Sequence, residues 1–169
     1  MDRDFSNFRP SRIWRRMPLD RRVEAAELFW NDEQSADQQM EAVSAIASHM
    51  KFRAKSVLAL PPERLAKYLA QLPNTSDAIA ARALVSYHLE RQRAMMAAFL
   101  DALGIPHENG LINDEHVAKP DAGKLRDAAA TLAASYPAED VWLYLSTLVS
   151  QDPETWGDLA DVPQVAQAQ

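Results

Sequence analysis

Residues 76–106 read SDAIAARALVSYHLERQRAMMAAFLDALGIP, and this stretch decides the fold class. It has no proline or glycine before Gly104, and its apolar residues recur at spacings of three and four, the period of one helix face. At about 100° per residue, with Leu84 as zero, Leu84, Val85, Leu89, Met95, Met96, Phe99 and Leu103 share one broad sector. Arg82, Ser86, Glu90, Arg93 and Asp101 lie on the other side. Asn74-Thr75-Ser76-Asp77 supplies side chains that cap a helix start. Leu103-Gly104-Ile105-Pro106 is a stop, with a glycine for the left-handed cap and a proline against continuation. The spacing therefore predicts one helix over 76–103. At 1.5 Å per residue it would be about 42 Å long, so it is central or bent.

The same signals recur outward from this stretch. Upstream, a helix is expected from Asp20 to Asn31. A second begins at Ser35, where Ser35-x-x-Gln38 reads as a capping box. Ala36, Met40, Val43, Ala47, Met50, Ala54 and Val57 continue it as one apolar stripe. His49, Lys51, Arg53 and Lys55 gather at its end, where bases favour the negative end of the helix dipole. Pro61-Pro62-Glu63 opens a third helix that ends before Pro73. Downstream, helices are expected over 121–135 and 138–150, and Asp152-Pro153-Glu154 starts a short one to about Ala160. Residues 105–120 lack helical period, with Asn109-Gly110 a turn and Gly110-Leu111-Ile112 at most briefly extended. The prediction is an all-α, single-domain helical bundle of six to seven helices with a long central helix (about 76–103). Residues 1–18, interrupted by Pro10 and Pro18, are expected to be an irregular basic arm, 19–163 the helical domain and 164–169 a frayed tail.

Composition bounds the chemistry. A chain of 169 residues is long enough to bury a core without staples. It has no cysteine, which excludes disulfides, thiolate metal sites and cysteine nucleophiles, and suits a reducing cytoplasm. No apolar run approaches the roughly 20 residues of a membrane span, and the N-terminal segment has no hydrophobic stretch of the signal-peptide kind. The net charge of −6 is uneven. Residues 1–22 carry +4, leaving −10 for the rest, and no base follows Arg126. There is no GxGxxG, P-loop, GxSxG or HExxH pattern, so no cofactor or metal is implied and a non-enzymatic role is favoured.

Three sets of residues are candidates for function. His88, Arg91 and Gln92 fall inside the apolar sector of the long helix and could line an interior polar pocket for a small ligand or a reaction. The plainer alternative is that His88 bonds a backbone carbonyl and Arg91 reaches the rim. His107, Glu108 and His116 sit in the non-helical segment beside further carboxylates, in no known ligand spacing, so a solvated turn is expected there. In the arm, Phe5, Phe8 and Trp14 interleave with Arg12, Arg15 and Arg16. Such a segment suits a protein surface, above all the acidic C-terminal third of this chain or of a second copy in a homodimer. Nucleic acid is disfavoured: the arm is short and joined to an acidic body, and the turn 72–76 is long and glycine-free for a helix-turn-helix. The expected role is binding, to another protein or to itself, in the cytoplasm and not at a membrane.

Overall fold

The structure, a computed structural model, describes residues 3–113 and 117–168. It is all-α, with 75% of the described residues helical. The contacts gather into two compact units, one of residues 10–90 and one that joins the first nine residues to the chain from Arg91 onward. Among the described residues no helix is long and apolar enough to cross a membrane.

The N-terminal unit contains α1 (Pro10–Arg16), α2 (Leu19–Asn31), α3 (Ala36–Met50), α4 (Ala54–Leu58), α5 (Pro62–Gln71) and α6 (Asp77–Arg91). Its main pairing is α2 along α5, with α3 against α4 and α5. Residues 10–16, expected within an irregular arm, are helical, because proline suits a first turn and Ile13, Trp14 and Met17 have a core to enter. Ser35 makes no capping bond; its hydroxyl accepts from Arg82 Nε at 3.2 Å. The side chain that closes this corner is Gln39, whose amide donates to the carbonyls of Phe29 (2.9 Å) and Asp32 (3.0 Å) at the end of α2. The expected stripe from Ala36 to Val57 is cut at Lys51, whose φ of 57° ends α3. Met40 then lies outside, and Ala42, Val43 and Ile46 form the buried face.

The C-terminal unit contains residues 3–9, α7 (Arg93–Leu103), the strands β1 (His107–Glu108) and β2 (Leu111–Ile112), α8 (Ala122–Ser135), α9 (Ala138–Gln151), α10 (Pro153–Trp156), a 3₁₀ turn (Gly157–Asp161) and α11 (Pro163–Ala166). Its central element is α9, buried from Asp140 to Val149 and packed by α8, α10, α11, the 3₁₀ turn at Gly157–Asp161 and a second one at Ser6–Phe8. Helices buried all round carry no polar stripe, which is why Val141-Trp142-Leu143-Tyr144-Leu145 shows none. The tail is not frayed throughout: Val165 of α11 is fully buried.

The predicted helix over 76–103 is divided. Gln92, at φ −126° and ψ 21°, separates α6 from α7 where the chain passes from one unit to the other. Its start and stop are as expected. Ser76 Oγ accepts from Ile79 N–H, and Gly104 at φ 69° lets Ile105 N–H reach the Leu100 carbonyl at 3.0 Å.

A candidate interaction surface

The residues singled out in the sequence go to three different environments. His88 is 4% exposed, and its Nδ1–H donates to the Leu84 carbonyl at 2.8 Å, one turn back on α6. Burial pushes its pKa down to about 4, outweighing the rise from that hydrogen bond, so the imidazole is neutral at pH 7. Arg91 is exposed and Gln92 half-buried at the break after α6. The polar network of α6 forms on the side that the wheel assigned to solvent. Arg82 Nη2 pairs with Asp32 at 3.0 Å and Ser86 Oγ donates to the same carboxylate at 2.8 Å. Burial opposes ionisation of Asp32, but the bonds from Ser86, the Gln34 N–H and Arg82 outweigh it and hold its carboxyl below the usual range. This network ties α6 to the α2–α3 corner.

The loop candidates separate. His116 lies outside the described residues. His107 is locked: Gly110 N–H donates to Nδ1 at 3.1 Å, so Nε2 carries the proton and donates to Asp101 at 2.7 Å. Glu108 is exposed on the partner position to Leu111. With both ring nitrogens engaged, His107 has no lone pair to offer a metal. No group of three His, Cys, Asp or Glu side chains suited to a metal occurs among the described residues. A cavity of about 340 Å³ lies along the loop, lined by Leu103, Ile105, Pro106, Val117, Lys119 and Lys124 among others.

The arm docks on its own chain. Arg3 bonds Asp158 at 2.9 Å and also reaches Asp161. Phe5 stands edge-on to the buried Phe8, and its ring covers Gly157 so closely that a Cβ there would sit 2.8 Å from Phe5 Cζ. The expected attraction between the basic N-terminus and the acidic C-terminal third is thus realised within one chain. Farther along, Trp14 is buried in the N-terminal unit, Arg15 reaches Asn74 at 3.2 Å, and Arg12 and Arg16 are exposed. Gly157→Ala should push Phe5 off the 3₁₀ turn. Helix propensity gains up to about 1 kcal/mol from that change, so the melting temperature should move little. Amide exchange at Phe8, whose N–H bonds the Phe5 carbonyl at 2.9 Å, should accelerate. Unchanged exchange at Phe8 would show that Phe5 does not hold the segment down.

The sequence reading missed the most distinctive surface. Lys51 ends α3 in the left-handed conformation, where a non-glycine residue costs about 1 kcal/mol. That turn bonds Phe52 N–H to the Ala47 carbonyl at 2.9 Å and leaves Phe52 41% exposed. The ring stands edge-on to Tyr68 of α5 at 6.2 Å. Arg64, one turn earlier on α5, covers the Tyr68 ring at 5.9 Å and donates to its hydroxyl. Lys51, Arg53, Lys55, Arg64 and Lys67 are all exposed, and none forms an ion pair among the described residues. Only Glu63 opposes them between residues 49 and 68, and Leu58 is 56% exposed in the same stretch. In the sequence the first three bases look like helix-dipole partners. Only the packing of Phe52 on Tyr68 joins them to a second basic group. Compared with protein-family models, curated proteins and solved structures, the chain matches none.

Proposed function

We propose that this protein acts by binding another protein through the basic, aromatic face formed by the end of α3, α4 and α5. The observation that carries this reading is the exposed Phe52 ring, packed edge-on against the half-buried Tyr68, among five cations with no ion-pair partner among the described residues. An exposed aromatic ring beside Arg and Lys is the composition of a binding hot spot with a charged rim. Its complement is acidic with a large apolar side chain at its centre. Exposed aliphatic residues such as Leu58 favour a protein partner over nucleic acid, since a phosphate backbone makes no use of them. The arm, already docked within the chain from Arg3 to Phe8, supports the role less directly.

The test is titration of a fluorescent acidic peptide of Glu and Leu residues, with an all-Glu peptide and single-stranded RNA as comparisons. The Glu–Leu peptide should bind best, and its affinity should fall about tenfold or more between 50 and 500 mM salt, as screening shortens the Debye length. Lys51→Glu/Arg53→Glu/Lys55→Glu should abolish binding with an unchanged circular dichroism spectrum. Tighter binding to RNA would replace this reading with nucleic-acid binding. Affinity untouched by the charge reversal would remove the face from the function.

A further inference from the structure

Charge is divided between the units. Residues 10–90 carry eleven basic and ten acidic side chains, a balance of +1. The rest of the chain carries seven basic and fourteen acidic side chains, a balance of −7. One chain therefore holds both a basic face and an acidic body, and an acidic body of the same composition is present wherever this protein is concentrated.

The acidic unit also presents the apolar side chain that the face calls for. Leu111 is the exposed large hydrophobic residue of that unit among the described residues, at 42%. It pairs across the β1–β2 hairpin with Glu108, and directly opposed residues in a hairpin share a face. A carboxylate and a leucine thus stand side by side at a hairpin tip. The tip is rigid. Asn109 and Gly110 have φ of 52° and 87°, the two-residue turn that suits the twist of a hairpin. Gly110 lies flat on α7: a Cβ there would meet Met96 Cβ at 2.9 Å and the Arg93 carbonyl at 3.0 Å. Arg93 donates to the Asn109 carbonyl at 3.1 Å, and the His107–Asp101 bond holds the base of β1. A preorganised knob loses little entropy on docking, so even a small contact gains affinity. Phe52, Leu58 and Leu111 are all exposed in the single chain, so neither side of the proposed contact is already covered.

Building on the binding reading above, we infer that the acidic partner of the α3–α5 face is a second copy of this chain, seated by its β1–β2 hairpin, with Leu111 against Phe52 and Glu108 among Lys51, Arg53 and Arg64. The contact joins two different surfaces. It therefore closes as a reciprocal dimer where both pairs meet at once, and otherwise grows head to tail. A hairpin tip on one face is far smaller than a stable dimer interface of about 1,200 Å² or more, so association is weak and concentration-dependent.

Sedimentation velocity of the full chain between about 10 and 500 µM tests this, run beside the acidic-peptide titration. The expected result is a mass that rises with concentration at 50 mM salt and returns to the monomer at 500 mM. Leu111→Ser and Glu108→Lys, both at exposed positions, should each weaken association about tenfold or more. Lys51→Glu/Arg53→Glu should do the same, and an equimolar mixture of that variant with the Glu108→Lys chain should associate again. A chain that stays monomeric throughout while still binding the acidic peptide overturns the second-copy inference and leaves the binding reading standing. Failure of both assays removes both. Association that ignores Leu111→Ser and Glu108→Lys places the contact elsewhere and also overturns it.

Discussion

Phe99→Ala should destabilise the protein by about 3–5 kcal/mol, a large share of the 5–15 kcal/mol that a folded domain has in total. Phe99 is fully buried on α7. Its ring stands perpendicular to Tyr144 of α9 at 5.6 Å and tilted against Trp156 of α10 at 6.0 Å. Truncation removes the transfer free energy of a phenyl ring and two aromatic contacts, and leaves a cavity that rigid neighbours cannot fill. Tyr144 is so enclosed that burial pushes its hydroxyl well above the ordinary phenol range. Phe99→Leu, which keeps most of the volume, should cost less than half as much. Denaturant melts of the two variants check this. A loss below 1 kcal/mol for Phe99→Ala would mean that α7 does not turn this side chain into the core.

Acidification should produce the second large effect. His88 has a pKa of about 4 in the folded chain against 6.5 as the ordinary value. The unfolded chain therefore binds a proton that the folded chain refuses. The stabilisation is complete above pH 6.5, declines as pH falls from 6.5 to 4, and is gone below. At 1.36 kcal/mol per unit of difference the loss is about 3 kcal/mol. His88→Gln, which cannot titrate, should flatten that part of the curve whatever its own stability. Asp32 acts in a separate window, because its depressed carboxyl pKa gives stability that is lost only below its ordinary value of 3.8. Equal slopes between pH 6.5 and 4 for the wild type and His88→Gln would show that His88 takes up its proton without unfolding.

Signals confined to a few neighbouring residues were legible without the structure. The helix starts at Ser76 and Asp152, the stop at Gly104 and the Asn109-Gly110 turn act within four or five positions along the chain, and Pro62 suits a first turn by its own fixed φ. The burial of Leu84, Met95 and Phe99 followed from period alone. The attraction of the arginine-rich N-terminus to the acidic C-terminal third followed from charge, because Coulomb forces need no register to be anticipated.

Only tertiary structure decided which sides of the helices were covered and which basic residues met. Ser86 and Arg82 read as solvent-facing because a helical wheel assumes one inward face, whereas α6 is also covered on the side that carries Asp32. Gln92 interrupts a run of good helix formers, for no local reason, where the chain leaves one compact unit for the other. The α3–α5 face needs Phe52 to meet Tyr68, sixteen residues away, through the packing of two helices. Local preference determined several of the helix ends of this protein, those at Ser76, Gly104 and Asp152 among them, because each is closed by a bond to a near neighbour. The surfaces the helices build were left to long-range packing, because burial depends on what the rest of the chain brings to the other side.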